Sequence, residues 1–300
     1  MTHKLQHGSI LGGVSAVPDL EAALRDYRDI LGMTVVEQGP LAADIAASWG
    51  CPQNAGSPAA TLQPVSGADC HVRLVEQPNH PDFKPTTTYG WAAFEFSVQN
   101  VFDLPDHLQG SGFDIVGPPK ELEALPFFVP MQVLGTGREM VYLNEVRENT
   151  PSSDLPKAHS PTDHIFIVIL ATPDRAATVQ WYCEHIHLTE ADTYVLEYSM
   201  INEAFEKPAG TTSALTMVQN GRLPIVEVDD YPEEATDRQR HQGMLPPGNG
   251  LVSLAVDNLD KIACDWITPP EKRDAAPYSG RRAATTLGPA GELLELIEIG

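Results

Sequence analysis

Apolar residues fall along this chain in runs of two periods, and the alternation between the periods repeats. In GGVSAVPDLEAALRDYRDILGM a strand-like run closes on Val17, Pro18 and Asp19, and a stretch with helical spacing follows. Tyr27 lies eight residues after Asp19. In FIVILATPDRAATVQWYCEHIHL the run closes on Thr172, Pro173 and Asp174, and Tyr182 lies eight residues after that Asp. Asp19 and Asp174 are placed to cap helices, and the two tyrosines to pack on a sheet. Two shorter copies, GWAAFEFSVQNVFDLPDHLQGSGFDIVG and GNGLVSLAVDNLDKIACDWI, each predict a strand, a turn at Asn100 or Asn258, and a short helix. Each unit then ends in further strands, the last being HVRLVEQ, EMVYLNEV, PIVEVDDY and ELLELIEI. The repeat is therefore a strand, a helix and about three strands, and four copies fill residues 9–300.

A polar, proline-bearing stretch at 147–163, RENTPSSDLPKAHSPTD, has the composition of a linker. It predicts an N-terminal pair of modules over 1–148, a linker over 149–163 and a C-terminal pair over 164–300. A second such stretch at 232–250 reads as a long loop between the third and fourth modules.

Composition narrows the function. The 300 residues are 42% hydrophobic and 20% charged, which suits folded domains and excludes a disordered or fibrous chain. With 41 acidic side chains against 19 Lys and Arg, the net charge is -22, so nucleic acid and anionic membranes are poor partners. Cys51, Cys70, Cys183 and Cys264 show no CxxC spacing, and no apolar run reaches the length of a membrane span. The first residues lack the pattern of a signal peptide, so a cytoplasmic location is expected. Phosphate-binding glycine motifs, a GxSxG elbow and HExxH are all missing.

The repeats, above all GLVSLAVDNLD leading to GPAGELLELIE, resemble the vicinal oxygen chelate superfamily, which includes glyoxalases, bleomycin-resistance proteins and extradiol dioxygenases. The resemblance implies an α+β fold of four βαβββ modules paired into two open barrels, each with a ligand-holding cup. It also implies where a divalent metal would be held: seven positions before the Asp or Asn of each turn, and in the last strand of each module. The first set is Gly12, Ala93, Ile167 and Leu251, none of which can bind a metal. The second set is Arg73, Tyr142, Glu227 and Glu295.

With modules paired in chain order, Arg73 and Tyr142 would share the N-terminal cup. Glu227 and Glu295 would share the C-terminal cup beside Ile167 and Leu251. Two carboxyls in an apolar cup repel one another and resist ionisation, leaving one as acid and the other as base. The expectation is thus an enzyme without metal or other cofactor, an isomerase or lyase acting on an apolar or aromatic carbonyl compound. Glu227 and Glu295 are its catalytic pair, and Tyr198, Asn202, Phe205, Ile167, Leu251, Arg73 and Tyr142 contact the substrate. Two alternatives stay open: a non-catalytic protein that binds a small molecule, such as a cationic drug, and a metal-dependent extradiol dioxygenase with Glu295 as one ligand. The partner in each case is a small molecule, and the chain is expected as a monomer or a homodimer.

Overall fold

A computed structural model describes residues 5–123 and 126–300. Module one runs β1 (Ile10–Val17), α1 (Leu20–Leu24), β2 (Met33–Pro40), α2 (Ala43–Ser48), β3 (Pro58–Pro64) and β4 (His71–Glu76). Module two has β5 (Gly90–Val98), α3 (Leu104–His107), β6 (Asp114–Gly117), β7 (Phe128–Leu134) and β8 (Met140–Val146). Module three has β9 (Thr162–Thr172), α4 (Arg175–His185), β10 (Thr189–Glu197), α5 (Ser199–Ala204), β11 (Thr212–Asn220) and β12 (Leu223–Asp230). Module four has β13 (Gly248–Val256), β14 (Glu271–Lys272), β15 (Arg282–Leu287) and β16 (Leu293–Glu298).

The capping residues act as the sequence predicts. The Asp19 carboxylate accepts from the backbone N–H of Ala22 at 2.9 Å, and that of Asp174 from Ala177 at 3.0 Å. After α1 the chain continues as a wider π-helical turn over Arg25–Ile30. The fourth module departs from the repeat. Asn258 caps only a single 3-10 turn, Leu259–Lys261, and Pro269 and Pro270 shortly beyond cannot continue a helix.

The strands form two sheets of eight, ordered β14-β15-β16-β13-β1-β4-β3-β2 and β10-β11-β12-β9-β5-β8-β7-β6. Module one is therefore paired with module four, and module two with module three. This corrects the expected grouping of 1–148 and 164–300 as separate pairs. The joins are antiparallel: β1 runs beside β13 and β5 beside β9. All four first strands carry apolar residues on both faces, so the repeat alone does not specify which of them meet. The polar stretch over 149–163 leads straight into β9, the direct neighbour of β5, and so lies inside one sheet's chain path instead of between domains.

Both sheets give one face to a single shared core, with Leu24, Leu74, Phe94, Phe96, Leu170, Leu254 and Leu296 buried in it. The sheets approach so closely that a Cβ on Gly13 of β1 would stand 2.4 Å from the Phe94 ring. Tyr27 and Tyr182 cross between modules. Each hydroxyl donates to a buried glutamate, Glu139 at 3.4 Å and Glu292 at 2.9 Å, so module one's helix is tied to module two and module three's to module four. The opposite face of each sheet curls into a cup. No described helix is long and apolar enough to cross a membrane.

Candidate active site

The two cups have opposite fates. In the sheet of modules one and four, α2 and the segment before β15 bring Trp49 and Tyr278 into the cup, both fully buried beside Leu251. Glu295 on β16 accepts three hydrogen bonds there, from the Trp49 indole N–H at 2.9 Å, the Tyr278 hydroxyl at 2.8 Å and the Ser253 hydroxyl at 2.6 Å. Arg73 on β4 lies over the Trp49 and Tyr278 rings, 5.4 and 5.5 Å from their centroids, and its guanidinium donates to Thr61 and to the backbone oxygen of Ala276. The space left between these groups is about 10 Å³, too small for a ligand. Gly12, at one of the metal-ligand positions that the resemblance implies, is glycine for a steric reason. A Cβ there would sit 2.4 Å from the backbone oxygen of His71.

In the sheet of modules two and three the cup is open, with a cavity of about 460 Å³. Its walls are apolar and aromatic, including Phe128, Ile167, Leu196, Leu215 and Met217. Its floor is polar: Glu95 from β5, Tyr142 from β8, Glu227 from β12 and Tyr198 at the start of α5. The Tyr142 and Tyr198 hydroxyls are hydrogen-bonded to each other at 3.0 Å. The Asn144 amide donates to the Glu95 carboxyl at 2.5 Å. Asp229, two residues beyond Glu227 on the same strand, is 1% exposed and in hydrogen-bond contact with Glu227 behind the cavity wall.

Among the described residues no cation pairs with these carboxyls, and burial dominates their ionisation. Desolvation pushes Glu227 up to about 7, although hydrogen bonds from Asp229 and Tyr198 favour its charged form. Burial, reinforced by the Glu227 charge, holds Glu95 well above the usual carboxylate range. Burial and the charges of Glu227 and Glu95 do the same to Asp229. Burial also raises Tyr142 and Tyr198, which stay neutral hydrogen-bond donors. The floor thus combines one carboxyl poised near neutrality with protonated acids and phenols.

The structure therefore brings together Glu227, Tyr142, Tyr198 and Ile167, and separates them from Glu295, Arg73 and Leu251. Glu227 and Glu295 stand on different sheets and cannot act as one pair. The expectation failed because it rested on pairing modules in chain order. Asn202 and Phe205 lie on and just after α5 but serve its packing. The Asn202 amide donates to the backbone oxygen of Thr211 at 2.8 Å, and Phe205 meets Tyr231 edge-on with centroids 6.0 Å apart. Glu95 and Asp229 were missed. The period-2 pattern of WAAFEFSV places Ala93, Glu95 and Ser97 on one face, opposite the core residues Phe94 and Phe96, so the alternation itself marks Glu95 as a cup residue. The same rule puts Asp229 beside Glu227.

Residues 10–124 match the model of the Glyoxalase/Bleomycin resistance protein/Dioxygenase superfamily. Glyoxalase I from Zea mays superposes with a TM-score of 0.61 at 14% identity, covering 97% of this chain and 92% of that one. A putative dioxygenase from Bacillus subtilis superposes with a TM-score of 0.62 at 10% identity, over 98% of this chain and 86% of that one. No curated protein matches the sequence. The match to this superfamily's model covers residues 10–124, and over its whole length the chain shares the fold of these two structures. These likenesses establish architecture alone.

Vicinal oxygen chelate proteins commonly hold a divalent metal in the cup, and the donor set here does not fit one. The open cup offers Ala93, Tyr142, Ile167 and Glu227 at the first- and last-strand positions, and the filled cup Gly12, Arg73, Leu251 and Glu295. Among the described residues no group of three His, Cys, Asp or Glu is arranged to hold a metal ion. Glu295 is saturated by its three donors, and Glu227 faces carboxyl and phenol neighbours that are held in their protonated forms.

Proposed function

We propose that this chain is a small-molecule enzyme that moves a proton at a carbon beside a carbonyl, using the open cup and no metal. The observation that carries the reading is the buried floor on which Glu227, with its pKa near 7, faces protonated Glu95 and the Tyr142–Tyr198 hydroxyl pair. A substrate carbonyl is held by the tyrosine hydroxyls. The Glu227 carboxylate takes the proton from the adjacent carbon, and that C–H electron pair moves into the carbonyl as the enol forms. Glu95 supplies the proton that the oxygen gains. As the carbonyl re-forms, the enol oxygen gives its proton back to Glu95 and Glu227 delivers its proton to a different carbon, which completes an isomerisation and restores both carboxyls. The apolar walls suit an uncharged, largely hydrocarbon or aromatic substrate.

The experiment is uptake of deuterium from ²H₂O into apolar ketones, followed by NMR. The wild type exchanges, with a rate that rises as pH passes about 7 and Glu227 ionises. Glu227→Gln binds the same ketones and does not exchange them. Binding without exchange in the wild type would refute the enzymatic reading.

One observation favours a second reading, a non-catalytic binding protein. The cavity wall carries Glu197, Glu203 and Glu227 against Lys120, so a cationic ligand would gain from the cup. Such a ligand would bind more weakly to Glu227→Gln and undergo no change. In either reading the ligand is a small molecule, the four cysteines as free thiols suit a cytoplasmic setting, and a single chain already holds a complete cup.

A further inference from the structure

Along β12, Glu227 and Asp229 stand two residues apart on one face of the sheet, and Tyr231 follows just past the strand's end. Only Glu227 reaches the cavity. Asp229 is 1% exposed and Tyr231 9% exposed, and around them lie Ala171, Ile201 and Ala235, an apolar cluster that offers an aspartate nothing. Among the described residues no cation pairs with Asp229, and one of its carboxyl oxygens, Oδ1, has no hydrogen-bond partner. A buried acid in such a place is costly, and an apolar side chain of similar size would be cheaper. Yet its carboxyl is in hydrogen-bond contact with that of Glu227. Two carboxylates cannot hydrogen-bond each other when both are ionised, because neither then has a donor. One proton must therefore reside in this pair.

We propose that Asp229 holds that proton permanently and, by donating it to one oxygen of Glu227, fixes the base with its other oxygen toward the cup. This inference rests on the reading of Glu227 as the base. Asp229 is a positioning residue: it touches no substrate, and its own proton never leaves. When Glu227 takes a proton from the substrate carbon the pair carries two, and when Glu227 returns it the pair carries one again. The assignment to Asp229 follows from depth. Glu227 borders the cavity, where an entering dipole or water stabilises charge, while Asp229 is sealed behind it. The groups that face the pair agree. Glu95 from β5, Tyr142 from β8, Tyr198 from the start of α5 and Tyr231 just after β12 are acids or phenols, so none supplies a positive charge to offset a second negative charge beside Glu227, and Glu95 adds to the repulsion. Asp230 points away to Arg175 at 3.0 Å, and Arg238 in the following loop is near Tyr231.

The test is the titration of Glu227 in the full chain without any ligand. It is read by NMR of ¹³C-labelled glutamate carboxyls, with the signal assigned by its loss in Glu227→Gln. Asp229→Asn supplies a neutral donor of the same shape, so the Glu227 midpoint should stay within about 0.3 of its wild-type pH. Asp229→Leu, or Asp229→Ala if the leucine variant fails to fold, removes the donor and should raise that midpoint by about 1 or more. The infrared band of protonated carboxyls should lose intensity in Asp229→Asn at neutral pH. A midpoint that falls by about 1 in Asp229→Asn would mean that Asp229 carries the charge, and equal midpoints in the Asn and Leu variants would mean that it only fills space. Either overturns the inference. Because no substrate enters this titration, its failure is distinct from a failure of deuterium exchange, which would sink the proposed function itself.

Discussion

The two cups are built from the same strands in the same order, and one is closed while the other is open. In the first, a carboxylate on the last strand is surrounded by donors, with Trp49, Tyr278 and Ser253 on Glu295 and Arg73 stacked against the same rings. In the second, the carboxylate at the corresponding place, Glu227, has only acids and phenols around it and a cavity in front of it. A buried carboxylate satisfied by three donors contributes to a rigid core, whereas one left without a cation keeps its proton in play near neutral pH. The difference lies in what fills the cup. Helix α2 and the stretch before β15 insert large aromatic side chains, and in the other cup the equivalent space is left to a ligand.

This contrast predicts where mutations hurt and how. The largest effect on stability should come from Trp49→Ala, which empties the filled cup, removes a donor from Glu295 and exposes Arg73. A loss of about 3–5 kcal/mol is expected in urea unfolding, with ligand binding in the open cup preserved while the protein stays folded. An equal loss from Phe128→Ala, at the wall of the open cup, would erase the distinction. Glu227→Gln should do the reverse, leaving the unfolding midpoint unchanged or higher while lowering deuterium exchange by about 10²–10⁴-fold.

Stability should also depend on pH with a definite sign. Burial pushes Glu139, Glu227 and Glu292 from 4.5 up to about 7, so the folded chain binds protons that the unfolded chain releases between those values. Their stabilising protonation is complete below pH 4.5 and is lost as pH rises through about 7. The free energy of unfolding in urea should therefore be higher at pH 5.5 than at pH 8, by on the order of 2–3 kcal/mol per group at most. Glu139→Gln and Glu292→Gln should each flatten that slope, because the amide keeps an acceptor for Tyr27 or Tyr182 without a proton to lose. A midpoint that rises toward pH 8 would contradict the assignment. The smallest effect belongs to Tyr198→Phe, which removes one of two hydroxyls from the carbonyl site and should slow exchange by about tenfold, roughly one hydrogen bond.

The fold could be read in the sequence because its signals are local. Asp19 and Asp174 mark helix starts, alternation marks the strands, and spacing alone finds the four modules. Which modules pair could not be read in the same way. Every first strand presents apolar residues on both faces, so Ile167 could serve a neighbour from module four as well as from module two, and only the three-dimensional path of the chain decides. That choice governs the site. It leaves Tyr142, Tyr198 and Glu227 together and sends Glu295, Arg73 and Leu251 elsewhere. Glu95 was visible in the alternation of WAAFEFSV, but a fixed count from Asn100 fell on Ala93, two residues short on the same face. Trp49, which fills the other cup, lies on a helix inserted between β2 and β3 and carries no repeat signal.

The most direct test of the account is a crystal structure of the protein soaked with an apolar ketone that undergoes exchange. The account predicts ligand density between Glu227, Glu95 and the Tyr142–Tyr198 pair, with the space among Trp49, Arg73, Tyr278 and Glu295 unchanged. Density beside Glu295 with Trp49 displaced, and none in the cup of modules two and three, would contradict it.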